Sequence, residues 1–284
     1  MPRAILLKTK STPEDPYDYA FRHQTPFVPV FVPVLVHQRV NEERLRQILL
    51  DEPRRKYDAL IITSQRAVEA LGDAMNILNG RTVDGFSNTD DQLAQLRAMT
   101  VYTVGPATAL AITKLQFNTI LGADTGNGDA LANLIVQQYR RDQCMDFNDI
   151  SKNIEEDNIP PRLPLLFLVG DKRRDIIPKR LGEREIPLEE LTIYETTVAS
   201  TFEEELDRVI ADNAEGEIEW IVFFSPSGAE IALEKLKKMP RRIKLATIGP
   251  TTEAYLKTQW NITPDMVSSK PEPISMVQGI LKHK

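Results

Sequence analysis

Two strand-to-helix junctions in the sequence carry hydroxyl side chains that could bind an anion. Thr63 and Ser64 follow the apolar run ALII, and Ser225 and Ser227 follow the apolar run WIVFF. A hydroxyl at such a position can cap the helix, and the unpaired N–H groups and dipole of the helix start attract negative charge. Capping alone would explain either junction, so the repetition of the pattern is what favours a ligand site.

Gly-Pro turns mark two further junctions of the same kind, VGPAT (104–108) and IGPTT (248–252). Glycine lets the backbone approach a ligand closely, and Thr108, Thr251 and Thr252 add hydroxyl groups. The carboxyl ends of parallel strands meet at one edge of a sheet, where ligands of open α/β proteins bind. The four junctions therefore predict one polar cleft that binds an anion.

A cluster of cations in VGDKRRDIIPKRL (169–181) could contribute to the same site. Lys172, Arg173 and Arg174 are predicted to lie at the start of a helix, where positive charge opposes the helix dipole. A carboxylate-bearing ligand would offset this cost, and a solvated charged surface is the other interpretation. Lys8, at the end of the first predicted strand, is a similar candidate.

Signals for other kinds of chemistry are missing from the sequence. The three histidines, His23, His37 and His283, have no metal-like or triad-like spacing, and Cys144 is the only cysteine. No dinucleotide fingerprint, phosphate-binding P-loop or nucleophile elbow occurs. The net charge of -6 argues against a general nucleic-acid binder. Hydride transfer, phosphoryl transfer and serine hydrolysis therefore lack their usual sequence signals.

The apolar segments of the sequence predict no membrane span and no export signal. The first apolar run, at 4–7, is too short for a signal-peptide core, and the longest, at 26–36, is interrupted by prolines. A single cysteine also excludes an internal disulfide framework. A protein of the reducing cytosol is the expectation.

The elements that must position these residues alternate between strand and helix, which is typical of an α/β fold with parallel sheets. Predicted strands are AILLK, ALIIT, TVYTV, LLFLV, WIVFF and KLATI. Predicted helices span 41–50, 65–71, 107–115, 128–139, 201–211, 229–237 and 252–259.

An internal repeat divides the chain into two related halves. DALIITSQRAVEAL, which begins at Asp58, aligns with EWIVFFSPSGAEIAL, which begins at Glu219, so that Ser64 matches Ser225. The segment 101–119 likewise aligns with 245–263 and matches Thr108 to Thr252. The first half carries extra residues at 75–96, interpreted as a polar loop, and 141–164 is predicted to be a surface excursion with little order.

Two extended stretches, 31–40 and 191–200, are predicted to connect two domains. The chain would begin in one domain, cross over, build the other and return. The first domain would then comprise 1–34 and 200–284, and the second 38–191. Tyr194 lies in the second connector and is the acidic side chain best placed to face a cleft between the domains. A tyrosine that only packs against the connector is the alternative interpretation.

The motifs ALIITSQRAVEAL, VGPAT, LPLLFLVGDKRRDIIPKRL, LTIYETTV, VFFSPSG and ATIGPTT resemble, in this order, those of the uroporphyrinogen-III synthases, and the eukaryotic members most closely. The resemblance spans Ala4 to Leu281. It implies two flavodoxin-like domains joined by a two-stranded β connector, with hydroxymethylbilane bound in the cleft and no cofactor. It also implies a cytoplasmic lyase that cyclises and dehydrates hydroxymethylbilane while inverting its last ring.

The resemblance assigns roles to particular residues. Tyr194 becomes the candidate catalytic proton donor. The expected substrate-binding residues are Lys8, Thr63, Ser64, Arg66, Thr108, Gly170, Arg174, Ser225, Ser227, Thr251 and Thr252. Lys172 and Arg173 correspond less securely to family positions. A monomer is expected, with a transient contact to the preceding enzyme of the pathway as a further partner hypothesis.

Two other classes of protein remain compatible with the motifs alone. A two-domain binding protein of the periplasmic type also has two α/β lobes, two crossings and a cleft, but an export signal is missing. A glycosyltransferase-like or other nucleotide-dependent enzyme would need a nucleotide-binding loop, and the four junctions contain none. A scaffolding role would not explain why polar turns recur at the strand ends.

Overall fold

The computed structural model describes residues 1–79, 88–150, 162–212, 217–236 and 243–283. Its strands are β1 (Arg3–Leu7), β2 (Val28–Phe31), β3 (Leu35–Arg39), β4 (Ala59–Ile62), β5 (Thr100–Tyr102), β6 (Thr119–Leu121), β7 (Leu165–Gly170), β8 (Leu188–Val198), β9 (Ile218–Phe223), β10 (Lys244–Thr247) and β11 (Met266–Val267). Its helices are α1 (Pro16–Gln24), α2 (Glu42–Leu50), α3 (Pro53–Lys56), α4 (Gln65–Asn79), α5 (Asn88–Arg97), α6 (Pro106–Lys114), α7 (Gly128–Ile150), α8 (Ile176–Gly182), α9 (Phe202–Ala211), α10 (Pro226–Leu236), α11 (Pro250–Trp260) and α12 (Pro273–Lys282). Within these described ranges, no helix combines the length and apolarity needed to cross a membrane.

The chain forms two compact units, and it passes from one to the other twice. Unit 1 comprises Met1–Val36 and Thr197–Lys284, and unit 2 comprises His37–Thr196. The two passages lie in β3 and β8. Val40 N–H donates to Ile193 O, and Ala199 N–H donates to Val34 O, so these two strands run antiparallel. The predicted α/β class with parallel sheets and a two-stranded β connector is confirmed.

The sheet of unit 1 has five parallel strands in the order β11-β10-β9-β1-β2. Numbered within the unit this order is 2-1-3-4-5, the flavodoxin-like order. Successive residues of β1 point to opposite faces, so Ile5 and Leu7 join one buried apolar cluster and Ala4 and Leu6 another. Burial on both faces explains why these strands read as continuous apolar runs.

The sheet of unit 2 has the order β3-β8-β7-β4-β5-β6, and β8 to β6 are parallel. Numbered from β4, the parallel strands follow 3-2-1-4-5, so this unit differs in strand order from unit 1. Leu60 and Ile62 pack on one face of β4 and Ile61 on the other. In both units the order reverses at one place, between β1 and β9 in unit 1 and between β4 and β7 in unit 2. Ligands of such sheets bind at this switch point.

The predicted polar loop at 75–96 is largely helical where the structure describes it. Residues up to Asn79 continue α4, and α5 begins at Asn88; 80–87 lie outside the described residues. Met75, Leu78, Leu93 and Leu96 are buried in the apolar cluster of unit 2. In the sequence, the many polar residues between these apolar positions obscure the helical periodicity. Burial of one apolar face therefore prevails over local composition.

Two further boundaries differ from the predictions. In the predicted excursion 141–164, α7 continues to Ile150, while 151–161 lie outside the described residues. In the first predicted connector, Phe31 belongs to β2, which pairs parallel with β1. Pro29 in β2 lacks an N–H donor and is tolerated because β2 is an edge strand. The short edge strands β6 and β11 were not predicted.

Asp15 anchors the loop after β1 and is expected to matter for stability. Its buried carboxylate accepts hydrogen bonds from the N–H groups of Ser11 and Tyr17, both at 2.8 Å, and pairs with the Lys8 ammonium. Burial alone would raise the pKa of Asp15, but Lys8 and these N–H groups outweigh burial and lower the pKa below its usual value. Folding is therefore stabilised while this carboxyl is ionised.

Replacing Asp15 with asparagine is expected to lower the free energy of unfolding by about 2 kcal/mol, because the ion pair with Lys8 and the negative charge on the hydrogen-bond acceptor are lost. Urea denaturation at pH 7 measures the loss. The contribution is present above the unfolded pKa near 3.9 and disappears as the pH falls through the lower pKa of the folded state. Asp18→Asn, which breaks more exposed ion pairs, should cost less than about 1 kcal/mol. Equal losses for both variants at pH 7 would contradict this account.

Candidate active site

The switch point of unit 2 holds a cavity of about 280 Å³ with a largely apolar wall and polar side chains at the strand ends. Thr63 and Ser64 approach it from the end of β4, and Gly170 and the cationic loop approach it from the end of β7. Tyr194 of β8 closes one side. A neighbouring cavity of about 400 Å³ shares Thr63, Ser64 and Tyr194 and adds Gln65, Arg66, Glu69 and Thr108. Every predicted site residue of unit 2 therefore lines one of two adjoining cavities.

Ser64 links the helix start to Tyr194. Its Oγ accepts a hydrogen bond from Ala67 N–H at 3.1 Å, which caps α4, and a second from the Tyr194 hydroxyl at 3.1 Å. Because Ser64 already accepts two bonds, its own O–H is left to donate to an acceptor in the cavity. The pair therefore presents a chain of hydroxyl groups to a ligand.

A β-bulge sets the position of Tyr194. Along the β7–β8 pair, Val169 lies opposite Thr192, but Gly170 lies opposite Tyr194, so Ile193 is the extra residue. Ile193 is buried in the core, while Tyr194 is partly exposed and turned to the cavity. Bulges commonly redirect a side chain next to an active site. The interruption of the ladder thus places the tyrosine at the carboxyl end of β7.

Gly170 allows the tyrosine ring to lie against the backbone of β7. A Cβ atom at this position would lie 2.4 Å from Cζ and 2.7 Å from the hydroxyl oxygen of Tyr194. Atoms do not approach so closely, so only glycine is compatible with the observed ring position. The predicted role of Gly170 was contact with the substrate, and the structure adds the positioning of Tyr194.

The cations around the cavity differ in how far they are already paired. Arg173 pairs with Glu190 at 2.5 Å and with Asp175, so its charge is compensated within the protein. Among the described residues, Lys172, Arg174 and Arg66 form no ion pair. The predicted helix at Lys172 to Arg174 is wrong, because α8 begins only at Ile176 and these residues lie in the preceding loop. The local positive charge favours an anionic ligand in a chain that is acidic overall.

The junctions of unit 1 repeat part of this arrangement. Ser225 Oγ accepts a hydrogen bond from Gly228 N–H at 3.0 Å, which matches the cap formed by Ser64. Ser227 and Thr251 are exposed, and Thr252 is 2% exposed. Thr108 in unit 2 is similarly buried, at 8%. The repeat predicted from sequence therefore corresponds to repeated local structure.

Lys8 is engaged within unit 1. Its ammonium pairs with Asp15, and it lies 5.3 Å from the ring centroids of both Tyr17 and Phe31 and 5.8 Å from that of Phe224. These contacts give Lys8 a structural role that the sequence did not indicate. A contact with the substrate at this position stays a prediction.

His37 is a neighbour of the cavity that the sequence did not single out. Its ring meets the Tyr194 ring edge-on, with centroids 6.0 Å apart and an interplanar angle of 77°. No spacing motif involves this histidine. Antiparallel pairing of the two predicted connectors would have indicated it, because that pairing sets 37 opposite 196.

Open parallel sheets with a cavity at the switch point, lined in part by hydroxyl and cationic side chains, define an α/β protein of the doubly wound class, with its candidate site at the strand ends. A family model, uroporphyrinogen-III synthase HemD, matches residues 20–278 of the chain. The chain belongs to the uroporphyrinogen-III synthase family, as its motifs indicated.

Two relatives and one solved structure extend this result over the whole chain. The uroporphyrinogen-III synthase of Saccharomyces cerevisiae is 36% identical over 287 aligned residues, which cover 98% of this chain and 95% of the relative. That of Schizosaccharomyces pombe is 36% identical over 281, covering 99% and 97%. The crystal structure of uroporphyrinogen-III synthetase from Helicobacter pylori aligns over 100% of both chains with a TM-score of 0.55 and 16% identity, and it supports the fold.

Proposed function

We propose that this chain is a lyase that closes hydroxymethylbilane to uroporphyrinogen III with inversion of the terminal ring, in tetrapyrrole and heme biosynthesis. Membership of the family over nearly the full length carries this conclusion. The substrate is a linear tetrapyrrole with acetate and propionate arms. The hydroxyl groups of these cavities, with Arg66, Lys172 and Arg174, which form no ion pair among the described residues, are chemically suited to such arms.

The cavity of unit 2 is proposed to bind part of the substrate. Thr63, Ser64 and Thr108 offer hydroxyl donors, and Arg66 and Arg174 offer guanidinium groups. Hydroxyl donors bind carboxylates without adding charge, which suits a protein of net charge -6. In unit 1, Ser225, Ser227, Thr251, Thr252 and Lys8 are proposed as further substrate-binding residues.

The reaction begins with loss of water from the hydroxymethyl group, which leaves an azafulvene cation. The terminal ring attacks this cation through its substituted carbon, and the spiro intermediate then fragments and recloses with that ring inverted. The protein must deliver a proton to the departing oxygen and hold the chain in a curled conformation. Tyr194, hydrogen-bonded to Ser64 at the edge of the cavity, is the proposed proton donor.

Neutralising Arg174 is expected to weaken substrate binding more than turnover. Arg174→Gln should raise KM about 10-fold, because a charge-assisted bond to a carboxylate is worth about 1.5–3 kcal/mol, while kcat should stay within about 3-fold. Arg180→Gln is the matched control, since Arg180 lies in α8 and is already paired with Asp129 at 2.8 Å. Steady-state kinetics with freshly generated hydroxymethylbilane make the comparison. Equal KM values for both variants would remove Arg174 from the binding site.

The rate of substrate consumption tests the function itself. Hydroxymethylbilane also closes spontaneously in buffer, and the purified protein should accelerate its disappearance in proportion to protein concentration. Heat-denatured protein provides the blank. A rate equal to the blank would refute the proposed enzyme activity. A cytoplasmic location, a monomeric state and a transient contact with the preceding pathway enzyme complete the proposal.

A further inference from the structure

His37 occupies a defined place on the paired connector strands. The register that joins Val40 to Ile193 and Val34 to Ala199 sets His37 opposite Thr196. His37 Nδ1 lies 3.2 Å from Thr196 Oγ1, within hydrogen-bonding distance. Thr196 is itself fixed, because its N–H donates to Asp171 Oδ1 at 3.0 Å. The imidazole is therefore held by the strand pair and by the loop that follows β7.

The same register brings His37 next to Tyr194. Tyr194 is two residues from Thr196 on β8, so both side chains project from one face of the strand. Diagonal neighbours on one face of an antiparallel pair are close enough for aromatic rings to meet. The edge-on contact of the two rings, at 6.0 Å between centroids, is this diagonal pair. His37 thus lies beside the proposed proton donor.

Charged groups face the imidazole from two neighbouring elements. Arg66 and Glu69 face it from α4, and Asp171 and Lys172 face it from the loop after β7. The His37 side chain is exposed, but partial desolvation of its ring and then Arg66 lower the pKa of His37 below its usual value, and the two carboxylates only partly oppose this. The ring is therefore neutral at pH 7. In the tautomer whose Nδ1–H donates to Thr196 Oγ1, Nε2 of the neutral ring is the proton acceptor.

The proposed reaction consumes one proton and releases one. A proton joins the departing hydroxyl oxygen as its C–O bond breaks, and water leaves. When the inverted ring recloses, a new C–C bond forms at its free α-carbon, and that carbon must lose its proton to restore the pyrrole. Net loss of water is thus balanced only if a base accepts this second proton.

We infer that His37 is this base, a second proton-exchanging residue beside Tyr194. The imidazole takes the proton from the α-carbon, becomes imidazolium, and returns the proton to the site through the neighbouring hydroxyl groups before the next turnover. This inference rests on the proposed function and extends it to a residue outside the predicted site.

The test is the pH dependence of kcat for three purified variants between pH 5 and 9. His37→Phe keeps an aromatic ring against Tyr194 and removes proton exchange. His37→Gln keeps a hydrogen-bonding group near Thr196 and also removes proton exchange. His23→Phe is the matched control, because His23 is exposed on α1 of unit 1 and its Nδ1 bonds to Tyr19 O at 2.7 Å. Thermal unfolding midpoints confirm that each variant is folded.

The wild type and His23→Phe should lose activity as the pH falls and the imidazole of His37 takes up a proton. Both His37 variants should show about 10²-fold lower kcat at pH 7 and no such acidic limb. Wild-type kcat and an unchanged acidic limb in His37→Phe would overturn the inference. Wild-type kcat in His37→Phe together with a lower kcat in His37→Gln would also overturn the inference. That result would show that His37 contributes only the packing of its ring against Tyr194. A wild type without type III product would instead refute the proposed function.

Discussion

Replacing Tyr194 with phenylalanine is expected to lower kcat by about 10² to 10⁴-fold, the usual contribution of a general acid. The substitution removes only the hydroxyl that donates to Ser64 at 3.1 Å, and the ring keeps its place between Gly170 and His37. KM should therefore change little. Steady-state kinetics give both constants, and circular dichroism with thermal unfolding shows whether the fold is intact.

Tyr57→Phe is the matched control for this substitution. Tyr57 also lies in unit 2, but its hydroxyl donates to Glu189 at 2.8 Å, and it lines neither cavity. Its loss should lower stability by about 1 kcal/mol and leave kcat unchanged. Wild-type turnover in a folded Tyr194→Phe protein would exclude Tyr194 as the proton donor. Proton donation to the departing oxygen would then be distributed among the hydroxyl and N–H groups of the site.

Gly170→Ala is expected to reduce kcat at least as much as Tyr194→Phe. The new methyl group would lie 2.4 Å from Cζ of Tyr194, so either the ring or the strand must move. Displacing the ring breaks the hydrogen bond to Ser64 and removes the hydroxyl from its position. Overpacking of a buried position also costs about 1–3 kcal/mol of stability. Kinetics and urea denaturation measure the two effects separately.

Gly182→Ala separates a steric effect from a general effect of replacing glycine. Gly182 lies at the end of α8, and a Cβ atom there would meet nothing within 4 Å. This variant should keep wild-type kcat and be unchanged or more stable by about 0.5–1 kcal/mol, because alanine favours a helix. If Gly170→Ala behaves in the same way as Gly182→Ala, the proposed contact with Tyr194 does not control activity.

The parallel sheets could be predicted from sequence because their central strands have a strong local signal. β4, β7 and β9 are buried on both faces and therefore appear as continuous apolar runs. The caps formed by Ser64 and Ser225 were also predictable, because a cap depends on residues three positions apart. The internal repeat then indicated that both belong to related halves.

The rest of the site depends on contacts between residues far apart in sequence. The bulge at Ile193 arises from the register of β8 against β7, which no local pattern encodes. The sequence did not show that Glu190, 17 residues away, pairs with Arg173 and compensates its charge. His37 lies beside Tyr194 only because β3 pairs with β8. Local patterns thus predicted which strand ends form the site, and tertiary pairing decided which side chains are available in it.

The most direct test of the central claim is the isomer composition of the product. Freshly generated hydroxymethylbilane is supplied to the purified protein after treatment with a chelator, and the oxidised porphyrins are separated by isomer. The account predicts mainly the type III isomer, which requires inversion of the terminal ring by the enzyme. Only the type I isomer, the product of closure without inversion, would contradict it and leave a binding protein as the better description.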